Sequence, residues 1–339
     1  MNHEPQYQNV CSFTALLAAF KKARRAKRGK NGEPAFYLEL ESNLLDLSDQ
    51  LNTHAFVPEP YRYFSLHNKK DRVVSVASFR DRVVHHALVA ELEPLYEELF
   101  VPTSFACRKG LGMHRALKMA HDLCRRHRHF LKLDIRKYFD HISHSVLLKI
   151  LAEHVCDKDI LWLCETLLAH AGVPGIEASE RRGVPIGNLT SQFWANVYLN
   201  RLDQAFAQKF SGLPYLRYMD DILIFGSDKD ELWSAHGFIN SYVDLVLALE
   251  LKASATVVAP VTEGIPWLGF RVYPGTVRLD HGSRTRFLRK VRGNFLAAAN
   301  AMDDEMAGIV ASAQSILGHI GHCNSLMFRR SVLARHGRD

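Results

Sequence analysis

The sequence predicts an α+β fold with an all-helical appendage at its C-terminal end. Three observations carry this. Short apolar runs of strand type alternate with amphipathic helical stretches between about residue 60 and residue 282. Beyond that point helical spacing alone continues. The composition is that of a globular chain, with 47% hydrophobic and 23% charged side chains in 339 residues.

The elements follow in order. Val10, Phe13, Leu17 and Phe20 recur at helical spacing, and Gly29–Gly32 breaks that helix. Phe36, Leu40, Leu44, Leu47 and Leu51 line a second helix, closed by Pro58 and Pro60. Tyr61–Ser78 alternates in polarity and reads as strands around the polar turn His67–Asp71. Asp81–Leu99 is helical with an interruption expected near Pro94, where proline removes a backbone donor. Met113–Arg128 is a further helix, and Phe130–Ile135 a short strand that ends on an acid. Ser143 caps a helix to His154, and Asp159–His170 gives another. After the loop Gly172–Gly183 comes a long helix, Leu189–Phe210. Pro214–Gly226 reads as strand, tight acidic turn and strand, and Asp228–Leu251 as helix. Thr256–Pro260 is expected to pair with Ile265–Tyr273, and Arg284–Ala301 and Glu305–Arg335 to form the helical end.

The net charge of +7 is unevenly placed. Seven basic residues crowd into Lys21–Lys30, and nine lie between Arg284 and Arg338, so the middle is mildly acidic. Clustered Lys and Arg suit a polyanion, because they release counterions from phosphates. No apolar run reaches the roughly 18–20 residues of a membrane span, and no secretory signal opens the chain. The six cysteines form no CxxC pair, which fits a reduced, cytoplasmic protein without membrane association. His319, His322 and Cys323, and likewise Cys124, His127 and His129, lack the second ligand pair of a zinc site. Ser191 lies in no GxSxG elbow, and there is no P-loop.

Carboxylates at two strand ends carry the chemistry. Asp134 closes the apolar run Leu131–Ile135, and Asp220-Asp221 sit between the hydrophobic runs Tyr215–Tyr218 and Ile222–Phe225. Adjacent like charges at a hairpin tip are unfavourable unless a cation neutralises them. A plain polar turn is the alternative. Three carboxylates from two strands could hold two Mg²⁺ ions, with Mn²⁺ as a substitute, about 3.5–4 Å apart for in-line phosphoryl transfer.

Tyr218-Met219-Asp220-Asp221 resembles the YxDD box of reverse transcriptases, and the likeness extends from about residue 60 to 330. Asp134 with Tyr138-Phe139-Asp140-His141-Ile142 resembles the family's first catalytic motif. Gly183–Gln192 resembles the loop that opens the palm helix, and Trp267-Leu268-Gly269-Phe270 the primer grip. The resemblance implies a polymerase right hand with an antiparallel-sheet palm, fingers and a helical thumb. It divides the chain into a basic N-terminal helix or arm (1–30), fingers and palm (31–282) and thumb (283–339). It implies RNA-directed DNA synthesis by two-metal phosphoryl transfer, with an RNA template, a DNA or RNA primer and dNTPs, and a possible accessory protein.

Residue by residue, the resemblance makes Asp134, Asp220 and Asp221 the catalytic carboxylates, with the Ile135 carbonyl as a further metal ligand. It gives Lys69, Lys70, Arg72, Gln192 and Lys252 to the incoming nucleotide; Ala255 stands where the family's basic residue is expected, so either Lys252 substitutes as the general acid or that role is absent. Phe139 stands at the sugar gate, although core packing is its ordinary alternative. Arg108, Lys109, Gly187, Tyr218, Met219, Trp267, Gly269, Arg284 and Arg289 fall to template and primer. For Trp267, filling the core is an equal alternative. Ile186 stands where many members carry Gln, a form similar to the error-prone enzymes of diversity-generating retroelements. An apolar group discriminates less sharply than a hydrogen-bonding one. Antiphage-defence and retron-like enzymes are the alternatives, and a non-catalytic RNA-binding scaffold is the rival from another class. An RNA-dependent RNA polymerase is disfavoured by Phe139. An intron maturase is disfavoured because no further C-terminal domain is expected after Asp339.

Overall fold

The computed structural model describes residues 4–25, 29, 32–67, 71–171 and 180–336. In chain order, the N-terminal helices are α1 (Gln8–Cys11), α2 (Phe13–Arg24), α3 (Glu33–Leu38) and α4 (Leu40–Asn52). A hairpin follows, β1 (Arg62–His67) with β2 (Asp71–Val76), and then α5 (Phe79–Leu99) and α6 (Met113–Cys124). Next come β3 (His129–Asp134), α7 (Tyr138–His141), α8 (His144–Ala152), α9 (Lys158–Ala171) and α10 (Leu189–Lys209). The hairpin β4 (Tyr215–Tyr218) and β5 (Asp221–Gly226) leads to α11 (Lys229–Leu245). The short strands β6 (Val257–Pro260), β7 (Ile265–Trp267), β8 (Phe270–Tyr273) and β9 (Thr276–Leu279) precede the helices α12 (His281–Asn300), α13 (Asp303–Ile320) and α14 (Leu326–His336).

This is a mixed α+β fold of antiparallel sheets flanked by helices, as a polymerase hand requires. It divides into two compact units. Unit 1 holds Met1–Cys107, Asp134–Ser211 and Gly237–Ala253, and unit 2 holds Arg108–Leu133, Gly212–His236 and Ser254–Asp339.

Unit 1 is built on two long helices, α5 and α10, which pack on each other and bury residues all round. A helix apolar on every side belongs in a core. Ser78 caps α5 through the Asp81 amide, so the helix begins two residues before its expected start. It also runs through Pro94 without a break. Val83, Leu88, Leu92 and Tyr96 are buried on both sides of that proline, and their packing outweighs the one lost hydrogen bond. Side chains pin α10 from three directions. The Tyr138 hydroxyl donates to the Ala195 carbonyl, the Asn196 amide to the Ala106 carbonyl, and the Tyr198 hydroxyl to the Leu247 carbonyl.

Inside α5, His85 is 2% exposed and its Nδ1 meets no partner among the described residues. Burial pushes its pKa down to about 3, and that of half-buried His86 to about 4. Below about pH 6.5 the unfolded chain therefore binds protons that the folded chain refuses, and stability falls as pH drops from 6.5 toward 4. The slope from one such histidine is at most about 1.4 kcal/mol per pH unit. Urea unfolding at pH 6.5 and pH 5 should show this loss, and His85→Leu should flatten it. Equal slopes in the two proteins would remove His85 as the source.

Unit 2 carries a sheet of order β4-β5-β3-β6, with β4/β5 and β3/β6 antiparallel, and a smaller sheet β7-β8-β9. Thr256–Pro260 thus pairs with β3 and not with Ile265–Tyr273. That segment instead folds on itself as β7 and β8 and gains β9, which the sequence did not reveal. The reason is a two-residue turn, Leu268-Gly269, with φ of +51° and +83°. Two positive φ values match the right-handed twist of flanking strands, so the hairpin closes there. The helical end breaks between α13 and α14, where the Ser325 hydroxyl donates to the Ile320 carbonyl. Phe287, Val291, Ile316, Ile320 and Val332 form its apolar centre.

Candidate active site

Met219-Asp220 in unit 2 is a two-residue turn closed by the cross-strand pair Tyr218 and Asp221. Met219 has φ of +55°. A positive φ at the first position of a two-residue hairpin turn is normally taken by glycine. Asp220 and Asp221 are both half-buried. The Lys132 ammonium on β3 lies 3.0 Å from Asp221 Oδ1. β3 is the neighbour of β5 in the sheet.

In unit 1, Asp134 is followed by Ile135, which bridges to Leu251. The Lys252 amide donates to the Asp134 carbonyl at 2.8 Å, and its ammonium stands 3.9 Å from Asp134 Oδ2. The bridge is what brings Lys252 beside the acid across more than a hundred residues of chain. Phe139 is half-buried, whereas its neighbour Tyr138 is a core residue at 2% exposure. Core packing in this short helix therefore falls to Tyr138, and the Phe139 ring meets it edge-on at 5.6 Å.

The donor set suits a hard cation, since carboxylate oxygens are what Mg²⁺ takes. Among the described residues no group of three or more His, Cys, Asp or Glu side chains stands arranged around a metal position. Lysines face the carboxylates instead, Lys132 at Asp221 and Lys252 at Asp134.

The loop before α10 presses on the β1–β2 hairpin. Gly187 has φ of +116°, and a Cβ there would come within 2.7 Å of Val74 Cγ1. The Ser75 amide donates to the Ile186 carbonyl at 3.0 Å. Both constraints require glycine, for conformation and for space. Gln192 Oε1 accepts a weak contact from the Cys107 thiol at 3.6 Å. Arg72 lies in β2, opposite Leu66. Lys69 and Lys70 lie outside the described residues.

The nucleic-acid candidates divide by exposure. Lys109 is exposed and Arg108 half-buried at the start of unit 2. Arg284 and Arg289 are exposed on α12; Arg289 lies opposite the buried Phe287 and Val291, while Arg284 shares their side and sets its guanidinium over the Phe328 ring at 4.9 Å. Trp267 is 1% exposed and lies in the core, so its ring takes the second of its two expected places. The sequence overlooked Lys132 and Arg217. An acid–base pattern two residues before Asp134, and an arginine inside an apolar strand, were the available signals.

Residues 64–272, more than half of the chain, match the model of the reverse transcriptase (RNA-dependent DNA polymerase) family, and the chain belongs to that family. It is 26% identical to protein YkfC of Escherichia coli over 67% of this chain and 70% of that protein. It is 27% identical to the group II intron-encoded protein LtrA of Lactococcus lactis, over 48% of this chain. It spans only 28% of LtrA's length. An intron nuclear maturase of Arabidopsis thaliana is 32% identical over 26% of this chain. The sequence relatives thus include intron-encoded proteins, the group that the expected absence of C-terminal domains had disfavoured. Among solved structures, telomerase from Candida albicans has a TM-score of 0.51 at 13% identity. That match covers 83% of this chain and 55% of the telomerase chain, and it shows the fold alone. Among the described residues no helix is long and apolar enough to cross a membrane.

Proposed function

We propose that this chain is an RNA-directed DNA polymerase that extends a primer 3′-hydroxyl with dNTPs on a specific structured RNA. The observation that supports it is the reverse transcriptase family match over residues 64–272, which contains Asp134 and the hairpin turn with Asp220-Asp221. Intron-encoded relatives favour a defined RNA as template. In this reading Asp134, Asp220 and Asp221, with the Ile135 carbonyl, would hold two Mg²⁺ ions, which would supply Lewis-acid stabilisation of developing charge.

The remaining work falls to side chains. Lys132 and Lys252 hold positive charge beside the carboxylates. Lys252 donates a proton on the side of the leaving pyrophosphate. Phe139 packs against the sugar and leaves no room for a 2′-hydroxyl. Lys69, Lys70 and Arg72 hold the triphosphate as charge-assisted donors. The exposed arginines of α12 follow the duplex as a thumb, and the turn Leu268-Gly269, rather than Trp267, meets the primer. The division into an N-terminal arm (1–30), fingers and palm (31–282) and thumb (283–339) belongs to the same proposal, as does a cytoplasmic location.

Ile186 supports a second, narrower reading, an error-prone retroelement enzyme, because it sets an apolar side chain in the palm-helix loop. The test of the general reading is extension of oligo(dT) on poly(rA). Product is expected with Mg²⁺ and none after EDTA. Purified, folded protein that makes no product with Mg²⁺ or Mn²⁺ counts against it. Misincorporation rates opposite each template base decide the narrower reading.

A further inference from the structure

Arg217 is the least expected residue around the acidic turn. It lies in β4 and pairs in register with Ile222 of β5, within a run of buried apolar residues. Its exposure is 0%. A guanidinium taken out of water costs several kcal/mol unless its donors are met. One of them is met by the turn itself, since Arg217 Nη1 donates to the Met219 carbonyl at 3.1 Å. Met219 is the residue with φ of +55°, a conformation that L side chains adopt at a cost. Backbone strain of this kind persists only where the surroundings over-determine it.

We propose that Arg217 is a positioning residue that latches the Met219 carbonyl and so fixes the direction in which Asp220 and Asp221 leave the turn. The inference rests on the polymerase reading above and deepens it. Three features make arginine suited to the task. The side chain is long enough to reach from the strand interior to the turn. Its guanidinium stays charged even when buried. A hydrogen bond from a charged donor is stronger than a neutral one. On the other strand that flanks β5, the Lys132 ammonium stands 3.0 Å from Asp221 Oδ1. Arg217 thus holds the backbone of the turn, while Lys132 balances the charge of one of its acids.

The experiment measures metal binding apart from activity. Mn²⁺ affinity is read by electron paramagnetic resonance, alongside kcat and the KM for dNTP, in Arg217→Met, Arg217→Lys and Met219→Gly. Arg217→Met is expected to weaken Mn²⁺ binding and lower kcat about tenfold, the range seen when a group supporting a metal ligand is lost. The near-ultraviolet circular dichroism should stay that of the folded chain. Arg217→Lys keeps the charge but falls short of the carbonyl, and should lose several-fold in both readouts. Glycine at 219 adopts the turn without strain, so removing Arg217 in the Met219→Gly background should cost clearly less than in the native one.

Unchanged Mn²⁺ affinity and kcat in folded Arg217→Met overturns the proposal, and so does an equal cost in both backgrounds. Where Arg217→Met does not fold, Arg217→Lys carries the same decision, with wild-type values overturning it. Failure of the parent reading looks different. It shows as no extension product from the folded wild-type chain with Mg²⁺ or Mn²⁺, whereas an active wild type with Arg217 variants like it sinks only this inference.

Discussion

Asp220→Ala is expected to abolish primer extension on poly(rA)/oligo(dT), with a loss of at least about a thousandfold. A stabilising group aimed at developing charge in a dry site commonly contributes about 10²–10³ in rate when removed alone. A carboxylate that holds metal should exceed that, because its loss removes the ion with it. Folding should survive the change. Asp220 stands in a turn, half-buried, so alanine there leaves no buried cavity. It even removes one of two adjacent like charges. The measurement is therefore a pair: extension rate, and a urea midpoint at or above that of the wild type. Substantial extension by a folded Asp220→Ala protein would falsify the metal assignment. Asp134→Ala is expected to match it in rate. It should differ in stability, because Asp134 also faces Lys252 at 3.9 Å and removal leaves that ammonium without its nearest acid.

The second large effect is at Phe139. Replacing it with Val should raise incorporation of ribonucleotides relative to deoxyribonucleotides by roughly 10- to 100-fold. The reason is steric. A pocket that rejects a group by shape does so with about 1–3 kcal/mol per group of methylene size, and removing the ring forfeits that discrimination. The fold should tolerate the change, since the buried aromatic of this short helix is Tyr138, anchored to the Ala195 carbonyl, and Phe139 is only half-buried. An unchanged dNTP/rNTP ratio in a folded, active variant would assign the ring to packing.

How much of this was legible beforehand depended on sequence distance. The helices α2, α4, α8, α9 and α10 were visible because their apolar spacing is local. So was the hairpin around Asp220-Asp221, where two apolar strands flank a two-residue turn. The partner of β6 was not, because Val257–Pro260 joins β3 across more than a hundred residues, and pairing is a property of the sheet. β9 was hidden for a related reason. Thr276–Leu279 is four residues long and too short to show a period on its own. Pro94 misled by a sound local rule that the packing around α5 overrode.

The candidate site shows the same division. Asp134, Asp220 and Asp221 were legible because acids inside apolar strand sequences stand out and because their motifs are short. Lys132 was passed over because a lysine in an alternating strand normally faces water. Only the sheet turns it toward Asp221. Arg217 was passed over for a similar reason. Its neighbours Tyr215 and Leu216 are core residues, and nothing local says that the charged side chain between them and the turn is buried too.

By itself, then, the sequence determined the fold class and the family motifs in their order, and it singled out the three acids of the proposed site. These depend on side-chain type and on spacing within a few residues, which the chain carries whether folded or not. The tertiary structure alone decided which cations stand beside those acids. It also decided that Trp267 belongs to the core and that Gly187 has no room for a side chain. Each of these follows from which strand lies next to which, and that is fixed by burial and hydrogen bonding summed over the whole sheet.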